Sequence, residues 1–346
     1  MIKYSFLNDY SEGAHPQLLG AILETNMEQH APYGDDNFSS QAKALISKKI
    51  GFGEPDIFFV SNGTQANLII ISAALKSHES VISADTGHIT IREAGAIEAT
   101  GHKINTVHKV SGKLAPEDIV EVLKEHDFGP HTVKPKMVYI SNSTEIGTIY
   151  TKLELEALSK FCKIHGLFLF LDGARLGSAL TATNNDLTLT DIARLTDIFT
   201  IGGTKSGALI GEAIVINNDK LKEHFPFHIK QRGAMLAKGR VIGVQFIELF
   251  RDNLFFDLAK HANIMAEKIS QAVKNNGFKM LTDSTSNQLF PILPNELIIE
   301  LEKKFEFYRW AEFDSENTTL RLVTSWATEE GKVTDFINTI NNHPYH

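Results

Sequence analysis

Three side chains of different chemistry sit where two apolar runs stop. LFLFLDGAR sets Asp172 and Arg175 behind a run of leucine and phenylalanine, and FTIGGTKSG sets Lys205 behind a second run. An apolar run that halts at small and polar residues reads as a buried parallel strand, and open α/β sheets hold ligands at the carboxyl ends of such strands. A carboxylate, a guanidinium and an amine meeting in one crevice suit a pyridoxal 5′-phosphate site. The lysine would form the Schiff base. The aspartate would keep the pyridine nitrogen protonated so that the ring accepts electrons, and the arginine would serve a phenolate oxygen or a substrate carboxylate. A buried carboxylate is costly without a cation, and the pyridinium would supply one to Asp172.

A phosphate needs its own cradle. VSNGTQANLIII opens a helix directly behind a strand, so the backbone N–H groups of Gly63 and Thr64 point outward at the positive end of the helix dipole. Asn62 and Thr64 add side-chain donors, and Thr204 adds a hydroxyl beside the lysine. Gly202 and Gly203 would let the backbone approach a flat ligand. A nucleotide P-loop is excluded, because Thr204 rather than glycine precedes Lys205, and GFGEPD does not complete a dinucleotide-binding GxGxxG. Cradle first, aspartate next and lysine last is the order of the pyridoxal phosphate enzymes called fold type I.

The elements that must carry these residues alternate. DIFFVS, SVIS, INTVH, KMVYIS, LFLFLD, IFTIG and EAIVIN read as strands, and GTQANLIIISAALK, ITIREAGAIEATG, APEDIVEVLKEH and LELEALSKFCKIHG read as helices. The last has Thr151 as N-cap and Gly166 just past its end. This is the pattern of an α/β fold with a mostly parallel central sheet flanked by helices. From residue 233 a long helical run leads into LFPIL, FEFYRWAEF and TLRLVTSWA, a smaller α+β unit. The expected division is a large cofactor-binding domain over 1–250, the N-terminal segment included, and a small C-terminal domain over 251–346.

A net charge of −8 gives no nucleic-acid surface, and no apolar run approaches the ~20 residues of a membrane span. Cys162 is the one cysteine, which excludes an intrachain disulfide and a cysteine metal site. With no apolar leader at the amino terminus, the expectation is a cytoplasmic enzyme.

Beyond these pieces, the chain resembles the threonine aldolase family over nearly its whole length. NDYSEG, YGDD at 33–36, SNGTQAN at 61–67, TGHITIREAGA, LDGAR, GGTKSG, KQRGAMLAKGR and RLVTSWATEE carry the resemblance, which is strongest to the bacterial low-specificity L-threonine aldolases. It implies cleavage of L-threonine, L-allo-threonine and related β-hydroxy-α-amino acids to glycine and an aldehyde. It also implies a homodimer or homotetramer with active sites at subunit interfaces. Lys205 would be the Schiff-base lysine, Asp172 the pyridinium partner and Arg175 a contact to cofactor and substrate carboxylate. Asn62, Gly63 and Thr64 would hold the phosphate, with Lys230 reaching in from the neighbouring subunit. Arg321 would clamp the substrate carboxylate near Asn8. His88 would lie over the ring, His131 would approach the β-hydroxyl, and Tyr33 would close the site across the interface. Asn8 and Asn62 stand where relatives have serine, Lys230 where they have arginine, and Ser325 where many have histidine. The base is left open among His131, His88 and an ordered water. Other readings are a β-eliminating lyase, an amino-acid racemase, a phenylserine-preferring aldolase or a silent cofactor-binding protein.

Overall fold

The computed structural model describes residues 3–343. Its strands are, in chain order, β1 (Tyr4–Ser5), β2 (Asp56–Val60), β3 (Glu79–Ala84), β4 (Ile104–Val107), β5 (Lys134–Ser141), β6 (Phe168–Asp172), β7 (Ile198–Gly202), β8 (Glu212–Ile216), β9 (Lys279–Met280), β10 (Gln288–Leu289), β11 (Pro291–Pro294), β12 (Phe305–Glu306), β13 (Tyr308–Glu312) and β14 (Asn317–Val323). Seven of them form the main sheet in the order β2-β8-β7-β6-β5-β3-β4. β8 alone runs against its neighbours β2 and β7, and the other pairings are parallel.

Every strand signal in the first two thirds of the chain is a strand of this sheet. The reason is visible in the burial. β3, β7 and β8 are buried at every position, so apolar residues are needed on both faces. Alternation then sorts them. Leu169, Leu171, Val138, Ile140 and Val215 pack one face against the helices Asn37–Ile50, Lys152–His165 and Arg240–Arg251. Phe170, Met137, Tyr139 and Ile214 pack the other against Ile69, Ile70 and Ile71 of the helix Gly63–Ala74. The result is a sheet between two helical layers. Helix Lys152–His165 starts at a capping box in which Thr151 and Glu154 bond each other's backbone N–H, and Gly166 ends it at φ 65°.

Two helix expectations change. ITIREAGAIEATG gives one α-helical turn, His88–Ile91, and a 3₁₀ turn, Glu98–Thr100, with Ala94 and Gly95 at positive φ between them. The long run after 233 becomes two helices, Arg240–Arg251 and Leu254–Asn275, separated at Asn253, whose φ of 75° no α-helix allows.

The C-terminal strands form a small, separate antiparallel sheet centred on β14, with β13 on one edge and β10 and β11 on the other. Its core joins Leu293, Leu320 and Leu322 to Ile269 and Phe336 of two helices. The N-terminal segment contributes here. β1 pairs with β12, and Phe6 is fully buried in this core against Phe305 and Phe336.

Candidate active site

β2, β6 and β7 end on the same side of the sheet, and a cavity of about 640 Å³ opens there. Of the residues singled out above, Asn62, Gly63, Thr64, His88, Asp172, Arg175, Thr204, Lys205 and Arg321 all line it.

Asp172 is the last residue of β6 and is buried. Tyr139 donates to its Oδ2 at 2.6 Å, Asn67 donates to the same oxygen at 3.0 Å, and the Ala174 N–H donates to Oδ1 at 2.9 Å. Burial alone would raise this carboxyl, but the Tyr139 bond and the nearby His88 hold it below its ordinary value. It stays an anion with acceptor capacity to spare for a pyridinium N–H. Lys205 sits in the one-turn helix Thr204–Ser206. Burial, then the charge of Arg175, pushes its amine down from the ordinary lysine value, which favours the neutral nucleophile.

The cradle has the local form its sequence promises. Asn62 caps the helix Gly63–Ala74 by accepting from the Gln65 N–H at 2.9 Å, and its amide donates to Ser61 Oγ. The Asn62 side chain is thereby committed to the cap. Among the described residues the Gly63 and Thr64 N–H groups have no intrachain acceptor, and they are the donors left for an anion. Gly202 and Gly203 serve a different purpose from the one expected. A Cβ on Gly202 would strike the Ala174 backbone, and one on Gly203 would strike Gly211 and Phe246. Both glycines are required by the packing of the chain on itself.

Arg175 is turned toward the protein. Its Nε and Nη2 donate to the two oxygens of Asp9 at 2.8 and 3.0 Å, and Asp9 also accepts from Asn287 at 2.9 Å. Asn8 lies outside the cavity lining and builds the turn before it, accepting from the Tyr10 N–H and the Ser11 hydroxyl. That turn delivers Asp9 to the arginine and Tyr10 to the cavity wall. Arg321 is the freer cation. It donates to Gln288 at 2.8 Å, packs 6.0 Å from the Trp310 ring, and keeps a buried Nε with no hydrogen-bond partner among the described residues. Burial, then repulsion from Arg175, pushes it down to about 10. An anion such as a carboxylate would relieve both.

His88 donates or accepts through Nδ1 to Glu93 at 2.7 Å, and Asn67 bridges the same Glu93 oxygen to Asp172. Burial would lower this imidazole, yet the Glu93 bond leaves it raised. Besides Asn8, three expected residues are not brought to this cavity by their own chain. His131 lies exposed just before β5, at the amino end of a strand whose carboxyl end pairs with Asp172. At about 3.3 Å per residue that is ~23 Å away, so it does not approach the substrate of its own chain. Tyr33 and Lys230 lie together elsewhere, the lysine amine 4.5 Å from the ring centroid.

Asp9, Asn67, Glu93, Tyr139 and Glu212 are partners that the sequence reading missed. Tyr139 had a signal, as a polar aromatic inside the apolar strand KMVYIS, and Glu212 had one in the short connection before β8.

Comparison with known proteins agrees with this geometry. The profile described as Beta-eliminating lyase matches residues 11–293. The low specificity L-threonine aldolase of Pseudomonas sp. (strain NCIMB 10558) is 34% identical over 336 residues, which cover 95% of this chain and 94% of the relative. The chain belongs to the threonine aldolase family. Its Pseudomonas aeruginosa namesake is 31% identical over 97% of this chain and 96% of its own. The solved Leishmania major threonine aldolase is 50% identical, covers 98% of both chains and superposes with a TM-score of 0.96. A Thermus thermophilus aspartate aminotransferase, 14% identical over 97% of this chain and 90% of its own, has a TM-score of 0.72 and shows the shared fold alone. The cofactor of this family is pyridoxal 5′-phosphate. The residues fit it: the buried Lys205 amine, an anionic Asp172 with acceptor capacity to spare, and two N–H groups at a helix start that have no acceptor among the described residues.

Proposed function

We propose that this chain cleaves L-threonine, L-allo-threonine and related β-hydroxy-α-amino acids at Cα–Cβ, giving glycine and an aldehyde. The observation that carries this reading is the convergence of Lys205, Asp172, His88 and Arg321 in one cavity of a chain that aligns end to end with L-threonine aldolases. When bound, pyridoxal phosphate supplies an electron sink for the pair released from the broken bond. The protein does the rest. Lys205 would hold the cofactor through its amine. Asp172, kept anionic by Tyr139, fixes a proton on the ring nitrogen. Arg321 would take the substrate carboxylate and so orient the bonds at Cα for cleavage. With Nδ1 tied to Glu93, His88 has Nε2 left to exchange the β-hydroxyl proton, directly or through a water. That step typically contributes ~10²–10⁴-fold.

The working unit in this proposal is a cytoplasmic homodimer or homotetramer. Tyr33 and Lys230, paired on the surface away from their own cavity, would complete the neighbour's site. The phosphate would then gain a cation from Lys230 that its own chain places elsewhere.

Incubation with both diastereomers of threonine and of phenylserine, with every product identified, tests the reaction. Glycine and aldehyde are expected. A keto acid with ammonia, or inversion at Cα, would replace this reading by a β-elimination or a racemisation. Lys205→Ala should abolish turnover while leaving the circular dichroism spectrum unchanged.

A further inference from the structure

Glu212 opens β8, and because β8 is antiparallel its amino end lies at the carboxyl ends of β2 and β7. In register it faces Val60 on one side and Gly202 on the other, the last residues of those strands. The segments that continue from these two partners are the Asn62–Thr64 helix start and the Gly203–Lys205 turn. Glu212 therefore stands between the two places that offer donors to a phosphate, and it lines the same cavity as both. It is 5% exposed, and its Oε2 is buried with no hydrogen-bond partner among the described residues. A native chain seldom leaves such an atom orphaned unless a ligand completes it.

The charge of the ligand fixes the form of the acid. An ionised carboxylate at this point would repel a phosphate dianion, whereas a neutral carboxyl offers it an O–H donor. We propose that Glu212, as a neutral carboxyl, donates a hydrogen bond through its unpartnered oxygen to the phosphate of the cofactor. The proposal rests on the pyridoxal phosphate reading of the cavity. Its surroundings favour the neutral form. Burial pushes this carboxyl up to about 8, and Asp172 adds to the effect against the opposing pull of Lys205 and the Thr204 hydrogen bonds. Lys205 and Asp172 are the charged groups acting on it. Val60, Ser61 and Asn62 on one flank and Gly202 and Gly203 on the other carry no charge.

The test uses the cofactor-free protein with pyridoxine 5′-phosphate, which has no aldehyde for Lys205, and with pyridoxine, which has no phosphate. Titration calorimetry is run from pH 7 to 9.5 on the wild type, Glu212→Gln and Glu212→Ala. Glutamine keeps a neutral donor of the same size. It should hold affinity for the phosphate ester within about threefold at pH 7, while alanine weakens it on the order of tenfold to a hundredfold. Neither should change pyridoxine binding by more than about threefold. Above pH 8 the wild type should weaken more steeply than Glu212→Gln, which lacks the titrating carboxyl. Without any variant, an infrared spectrum of the wild type at pH 7 should contain a protonated-carboxyl band that disappears by pH 9.5. Equal losses for both ligands, an unaffected alanine variant, or parallel pH curves for wild type and glutamine would overturn the proposal alone. A wild type that binds neither compound would overturn the cofactor reading as well.

Discussion

Asp9→Asn removes one charge from the ion pair whose two partners are both buried, at 6% and 1% side-chain exposure. Asp9 is held at about 2, against an ordinary 3.8, by the Arg175 charge and its hydrogen bonds, which outweigh the opposing effect of burial. That difference corresponds to roughly 2 kcal/mol favouring the charged carboxyl. The charge of Lys205 and the Asn287 hydrogen bond contribute to it beside Arg175. Leaving Arg175 buried without a counter-charge costs about 3–5 kcal/mol by analogy with other broken buried pairs. Urea unfolding at pH 7 should therefore place Asp9→Asn about 2–5 kcal/mol below the wild type. The sign with pH follows from the depressed carboxyl. The contribution is complete above about 3.8 and is lost as pH falls through about 2, so the gap between the two proteins should hold from pH 7 to 5 and close below pH 3. Asp9→Leu combined with Arg175→Met should recover part of the loss, since no uncompensated charge then remains. The pair ties the N-terminal segment to the end of β6 and, through Asn287, to the small sheet, so the Michaelis constant should rise too. A variant within about 0.5 kcal/mol of wild type at pH 7, with an unchanged Michaelis constant, would refute the view that this pair holds the site together.

Glu93→Gln removes the group that keeps His88 raised, so the imidazole should titrate at lower pH in an NMR titration and the acidic limb of the rate profile should move the same way. An unmoved His88 would show that Glu93 does not set its charge. Arg321→Lys keeps the charge and loses the planar fork, and should weaken amino-acid binding about 10-fold or more with little change in cofactor affinity. Gly203→Ala should lower expression or thermal stability, because the added carbon meets Gly211 and Phe246 rather than open space.

Much of the candidate site was legible because its residues sit at fixed points of local motifs. Asp172 and Lys205 follow apolar strands, and Thr64 opens a helix behind one, so strand direction alone sends all three to the same end of the sheet. The same rule applied to His131 would have kept it out, since it precedes β5 rather than following it. Family resemblance carried that residue into the site against its own position in the chain. Glu212 could also have been found. The connection Gly203–Gly211 is shorter than the dozen or so residues a parallel crossover needs, so β8 must turn back and bring its first residue to the ligand end. One expected helix was cut short and one helical run was divided for a local reason, positive φ at Ala94, Gly95 and Asn253, which hydrophobic periodicity does not register.

The sequence by itself determined the seven strands, the order of cradle, aspartate and lysine, and the character of a cofactor enzyme. Periodicity and strand ends are properties of neighbouring residues, and they survive without knowing the fold. The tertiary structure alone decided that Arg175 serves Asp9, that Asn67 links Glu93 to Asp172, and that one oxygen of Glu212 is buried without a partner. Those facts join residues 26 to 166 positions apart or depend on the exclusion of water. Only packing brings such groups together, because the energy of a buried charge or hydrogen bond is set by what surrounds it in space.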